Sequence, residues 1–192
     1  METIFLTGFI GGGKSAVSAL LRERGIPVYD SDARTKALYD ESPVLVPALE
    51  EALGIPLRTS DGKLDRKALA AVIFNDANAR ERVEAMVYPA VLEDFLRWRE
   101  AHADAAFVVL ESAIILSKPI FNGLADRVVL VTAPREVRLQ RVMARDGLSE
   151  EEVIRRMDAQ QMPLDGIDTV LQNDGTPEQL RKAVDAVFFP KK

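Results

Sequence analysis

The sequence predicts an α/β protein built on a parallel sheet, with a helical insertion and a helical lid. Three observations carry that prediction. Five short apolar runs are spaced along the chain, and helical patterns separate most of them. A glycine-rich segment joins the first run to the first helical pattern. The stretch from about 41 to 103 has no convincing strand.

Taken in order, residues 3–7 form an apolar run ending at glycine, as a buried strand does. Residues 14–24 place Val17, Leu20 and Leu21 at helical spacing, and Gly25 ends that helix. Residues 26–29 read as a second strand. Residues 44–53 and 66–74 read as helices. Residues 77–99 put Val83, Val87, Val91, Phe95 and Trp98 on one face, with Pro89 expected to kink the helix. Strands are expected over 106–110 and 127–131, with a weaker fifth over 169–171. Two helices are expected around Asp146-Gly147-Leu148-Ser149, where Ser149 and Glu152 have capping-box spacing. Residues 190–192 read as a loose tail. The chain is thus expected as one unit: a core over about 1–40, 104–134 and 164–192, a helical domain over about 41–103, and a lid over about 135–163.

Composition removes several classes of function. Net charge is −5, so no general attraction to nucleic acid or anionic lipid follows. Cysteine is absent, which excludes disulfides, thiolate catalysis and cysteine-ligated zinc. The only histidine is His102, so a histidine metal cluster is excluded as well. No run approaches the roughly 18–20 apolar residues that span a bilayer. The N-terminus lacks a basic region and a cleavage site, so a cytoplasmic protein is expected. Nothing in the sequence defines an oligomeric interface, and a monomer is the expectation.

Gly8-Phe9-Ile10-Gly11-Gly12-Gly13-Lys14-Ser15 fits the phosphate-loop pattern G-x-x-x-x-G-K-[ST] at every required position. A polyphosphate needs many donors at close range. Glycines let the backbone curl so that successive N–H groups point inward, and the following helix adds its positive end. Gly8, Gly11, Gly12, Gly13 and Ala16 are therefore candidate nucleotide contacts. Lys14 is placed to reach the β- and γ-phosphates of ATP, and Ser15 to ligate Mg²⁺.

Phosphoryl transfer also needs an oriented acceptor and cations around the developing charge. The second strand ends at Tyr29-Asp30-Ser31-Asp32. A carboxylate there can orient and deprotonate an acceptor hydroxyl; equally, Asp30 or Ser31 can cap the next helix. The third strand closes on Glu111, as an acid that holds Mg²⁺ does. Residues 135–156 hold Arg135, Arg138, Arg141, Arg145, Arg155 and Arg156. They suit a lid that closes arginines over phosphates, although about half are expected to be solvated ion pairs.

Together these residues resemble the dephospho-coenzyme A kinase family over nearly the whole chain. Residues 7–17 resemble its TGGIGSGKSTV, with Phe9, Gly12 and Ala16 changed. Residues 29–32 resemble its D-x-D. Residues 61–66 with Leu69, then Val72-Ile73-Phe74, resemble its DGxLDRxxLxxxIF. Residues 145–149 with Arg156 and Gln160 resemble its lid, and Asn173 with Gly175 its closing N-x-G. The resemblance implies a P-loop kinase core with a five-stranded parallel sheet, a helical coenzyme A domain and a lid. It implies phosphorylation of the ribose 3′-hydroxyl of dephospho-coenzyme A by MgATP. Asp32 would be the base or acceptor-orienting carboxylate. Arg145 and Arg156 would contact phosphates, and Asn173 would lie near the adenine. The sequence departs from the family at Tyr88, where His is usual before Pro89, and at Ser117, where the family has an acid.

Two other readings share part of this pattern. Another small-molecule P-loop kinase, for nucleoside monophosphate, shikimate or gluconate, would share Lys14 and the lid but not the DGxLDR segment. A nucleotide-binding switch could dispense with Asp32.

Overall fold

The computed structural model describes residues 1–190. Five strands form one sheet: β1 (Glu2–Gly8), β2 (Val28–Asp30), β3 (Phe107–Glu111), β4 (Arg127–Thr132) and β5 (Thr169–Gln172). Their order is β2-β3-β1-β4-β5, and every pairing is parallel. β1 is central, and from Thr3 to Gly8 it is buried. That is why its sequence is a continuous apolar run rather than an alternating one. Eight helices accompany the sheet among the described residues: α1 (Lys14–Glu23), α2 (Ser31–Glu41), α3 (Leu45–Leu53), α4 (Arg66–Asn75), α5 (Ala77–Glu100), α6 (Arg135–Asp146), α7 (Glu150–Ala159) and α8 (Pro177–Phe188).

The chain divides into two compact units. One is Met1–Asp30 together with the chain from His102 onward; the other is Ser31–Ala101. In the first, α1 and α8 bury Val17, Leu21, Val184 and Phe188 with the sheet residues Ile4, Leu6, Val109 and Val131. The expected strands all form, each within a residue or two of its sequence range. The tail expected over 190–192 lies, at Lys191 and Lys192, outside the described residues.

In the second unit, α2, α3 and α4 each pack against α5. α5 runs through Pro89 as one helix and buries Val83, Val87, Val91 and Phe95 along the face that the periodicity marked. Trp98 continues that face, its ring stacked on Phe95 at 6.1 Å. A polar brace joins α2 to α5. The Arg34 guanidinium donates to both carboxylate oxygens of Asp94, each at 3.0 Å, and also to Glu41. These acids hold Arg34 above its ordinary pKa, Asp94 contributing most. The helical unit begins at Ser31 rather than near residue 41. The physical reason is that α2 is tied to α5 through Arg34 and to α4 through Arg66, whose guanidinium donates to Asp40 and the Lys36 carbonyl.

The DGKLDR segment has a local structural account. Gly62 takes a left-handed φ of 81° in a turn whose N–H donates to the Thr59 carbonyl. Asp65 caps α4, accepting from the Lys67 and Ala68 N–H groups.

The segment expected as a lid is the α6–α7 hairpin. Gly147 ends α6 in the left-handed region, and Ser149 with Glu152 forms the expected capping box. The hairpin has its own apolar cluster of Val142, Val153 and Met157, packed with Leu139, Met143 and Leu148.

Candidate active site

The loop between β1 and α1 is built by close approach. The Gly12 N–H donates to the Phe9 carbonyl at 2.8 Å, closing a tight turn. Gly11, at φ 77°, backs onto Arg138, and a side chain there would come within 2.6 Å of the Arg138 carbonyl oxygen. Gly13, at φ 99°, is the N-cap of α1 and abuts the Asn173 carboxamide. Both positions therefore demand glycine. α1 has no side-chain cap and no acid in its first turn. A helix start of this kind carries a partial positive charge that suits an anion.

Lys14 folds back toward the loop, with Nζ 3.4 Å from the Gly8 carbonyl oxygen. The Ser15 hydroxyl donates to Glu111 Oε1 at 3.3 Å. Strand register explains that contact: Glu111 lies beside Leu6 of β1 on one side and Asp30 of β2 on the other. The structure thus joins the two residues that the sequence nominated for Mg²⁺. No group of three or more acids or histidines that could hold a metal ion occurs among the described residues. One hydroxyl and one carboxylate fit Mg²⁺, which keeps several waters and completes its shell with substrate phosphates.

A cleft of about 450 Å³ opens above the loop, lined by Lys14, Ser15, Arg141, Arg145, Arg156 and Gln160, among others. Arg145 and Arg156 both line this cleft. Asp146 holds them there: its carboxylate accepts from Arg145 Nε at 2.6 Å and lies 3.8 Å from Arg156 Nη1. The Arg145 hydrogen bonds keep the Asp146 carboxyl below the usual range, and Asp146 in turn raises Arg145. Arg135 pairs with Asp158, and Arg155 with Glu151, as exposed ion pairs.

A second cleft, of about 570 Å³, is lined by Gly13, Ala16, Arg141, Asn173, Gly175 and Pro177, among others. Asn173 is buried, and its Nδ2 donates to the Gly12 carbonyl at 3.0 Å. It braces the loop as well as lining the cleft. Arg141 lines both clefts, and its Nη1 is buried without a hydrogen-bond partner among the described residues. Burying a guanidinium donor unpaired is costly, so this group is poised for an acceptor from outside the chain. Sequence reasoning placed Arg141 only among six lid arginines. The available signal was its spacing from Arg145, four residues apart on one helix face.

Asp32 is exposed and lies in the first turn of α2, just past the carboxyl end of β2 along the chain. It belongs to the helical unit. Ser117 has a local role, its hydroxyl donating to the Ile114 carbonyl at 2.7 Å. No helix among the described residues is long and apolar enough to cross a membrane.

A parallel sheet in this order, with a phosphate loop after its central strand and an arginine-bearing hairpin, is that of a P-loop kinase. The family model described as dephospho-CoA kinase matches residues 2–179. The chain belongs to the dephospho-CoA kinase family. A dephospho-CoA kinase from Porphyromonas gingivalis is 45% identical over 161 residues, covering 84% of this chain and 78% of the relative. One from Anaeromyxobacter dehalogenans is 39% identical over 196 residues, covering 98% and 91%. A crystal structure from Thermus thermophilus superposes with a TM-score of 0.80 at 38% identity, covering 97% of this chain and 95% of that one.

Proposed function

We infer that this chain transfers the γ-phosphoryl group of ATP to the ribose 3′-hydroxyl of dephospho-coenzyme A, giving coenzyme A and ADP. The observation that carries this reading is the Ser15–Glu111 contact beside the glycine loop, in a chain that the family model matches over residues 2–179. In the proposed division of labour, the N–H groups at Gly11, Gly13 and the start of α1 hold the β- and γ-phosphates, with Gly8 and Gly12 shaping the loop. Lys14 unfolds from the Gly8 carbonyl to neutralise charge as the γ-phosphoryl moves. Mg²⁺ would be held by Ser15 and Glu111 and would offset phosphate charge. Arg145 and Arg156 supply cations from the lid. The second cleft takes the adenine, with Ala16 and Asn173 in its wall and Arg141 beside the phosphates.

The acceptor oxygen attacks the γ-phosphorus while the bond to the β,γ-bridging oxygen breaks. The acceptor proton passes to the Asp32 carboxylate, and ADP leaves. Ligands of open parallel sheets bind past the carboxyl ends of the strands, and Asp32 follows β2 there along the chain. The helical unit serves the acceptor in this reading. A monomer acting in the cytoplasm, where ATP is available, completes the proposal.

The test is an acceptor panel. Incubated with MgATP, the enzyme should release ADP with dephospho-coenzyme A, and phosphorus NMR should locate the new phosphate at the 3′ position. AMP, shikimate and gluconate should give little turnover. Robust turnover of one of these, with none of dephospho-coenzyme A, would replace the acceptor assignment. ADP release independent of any acceptor would favour a nucleotide switch.

A further inference from the structure

Residues 8–10 form the first arm of the glycine loop, and side chains of the lid hairpin hold backbone atoms of Gly8 and Ile10. From α6, Arg138 donates through Nε to the Ala133 carbonyl at 3.0 Å and through Nη1 to the Ile10 carbonyl at 3.4 Å. Its guanidinium carbon lies 4.9 Å from the centroid of the Phe9 ring. From the end of α7, Gln160 Oε1 accepts from the Ile10 N–H at 2.7 Å, and Gln160 Nε2 donates to the Gly8 carbonyl at 3.4 Å. The Ile10 side chain packs into the hairpin's apolar cluster. Both helices of the hairpin therefore grip the same arm of the loop.

Three features separate this from incidental packing. The Ile10 N–H is committed to Gln160, so the donors left for an anion begin at Gly11. Arg138 is committed to two carbonyls and a ring, so it is not one of the cations available to phosphate. Burial, with Arg135 nearby as a second cause, lowers its pKa. A guanidinium over an aromatic face is attracted by the ring quadrupole, and more strongly where water is excluded. Phe9, which stands where the family pattern has glycine, supplies that face.

We propose that Arg138 and Gln160 are positioning residues that clamp the outer arm of the phosphate loop to the lid hairpin, with Phe9 as the loop's own part of the clamp. The shape of the phosphate cradle and the seat of the lid are then set together. The proposal rests on the ATP-dependent reading above. That reading is tested by wild-type turnover of dephospho-coenzyme A, whereas the clamp is tested by nucleotide binding, which needs no acceptor.

The experiment compares Gln160→Met, which keeps length but loses both hydrogen bonds, with Phe9→Gly and with the double variant. The dissociation constant for ADP is measured by calorimetry, and KM for ATP and kcat by turnover. Each single variant should weaken ADP binding and raise KM about tenfold, the scale of about 1.4 kcal/mol lost from one or two modest contacts, with kcat changing far less. The double variant should be little worse than the worse single one, because both changes release the same arm. Arg138→Lys keeps the charge but loses the fork, and should match Phe9→Gly; it serves as the second probe if Phe9→Gly fails to fold. Unchanged ADP binding with only a lower melting temperature would overturn the proposal. So would multiplicative losses in the double variant, or a fall in kcat with KM unchanged.

Discussion

Between Gly8 and Lys14 nearly every turn of the backbone is imposed by a neighbour. Gly11 backs onto the Arg138 carbonyl, Gly12 is bonded by Asn173, Gly13 is pressed by the same carboxamide, and Ile10 is held by Gln160. The helical unit from Ser31 to Ala101 is ordered differently. Its helices bury apolar stripes on α5, fix their starts with Asp65 and Asp76, and add the Arg34–Asp94–Glu41 brace. The loop must present backbone donors at fixed points, so it tolerates no spare side chain where chains approach. The helical unit needs only complementary faces, and those tolerate exchange of one apolar residue for another of similar size. Chemistry should therefore be fragile in the first region and stability should be the main casualty in the second, with Asp32 as the exception.

The largest effect tests the loop. On the proposed division of labour Lys14→Ala removes the cation that neutralises the moving phosphoryl group, so kcat should fall about a thousandfold, more than ATP affinity does. Single-turnover rates near wild type would remove Lys14 from the chemistry. The next test asks whether the helical unit carries one catalytic group. Asp32→Asn keeps size and helix-starting ability but cannot accept a proton. Turnover should drop by about a hundredfold, the usual scale for a general base, with the melting temperature almost unchanged. If instead the fold weakens while the surviving folded enzyme stays active, Asp32 only supports the first turn of α2 and the comparison holds without exception. The smallest effect belongs to ordinary helical architecture. Asp65→Ala removes the α4 cap and should cost about 1 kcal/mol, a shift of a few degrees in melting temperature, with kcat preserved. A loss of turnover larger than the loss of folded protein would give the DGKLDR segment a direct part in catalysis.

Much of the fold was legible because its signals are local. Apolar runs mark buried parallel strands, and Ser149 with Glu152 marks the start of α7 at fixed spacing. The α5 stripe was readable through Pro89 because periodicity survives one missing hydrogen bond. The start of the helical unit at Ser31 was not readable. α2 has little amphipathic pattern of its own, and its place follows from Arg34 meeting Asp94, sixty residues away in sequence. In the site, Lys14, Ser15 and Glu111 were nominated by type and position. The lid arginines were nominated as a group, and only folding sorted them. Arg141, Arg145 and Arg156 line the cleft, Arg138 is bound to the loop, and Arg135 and Arg155 pair at the surface.

The sequence by itself determined the phosphate loop, because backbone curvature and donor supply are written in glycine spacing and in a Lys-Ser pair at the start of a helix. It also determined the individual strands and the hairpin, whose patterns are short-range. Only the tertiary structure decided that Ser15 meets Glu111, that Asn173 holds Gly12, and that Arg138 and Gln160 grip residues 8–10. Those contacts join segments about a hundred residues or more apart. Which side chains meet at such a range depends on strand order and register, and neither is encoded in the spacing of any single segment.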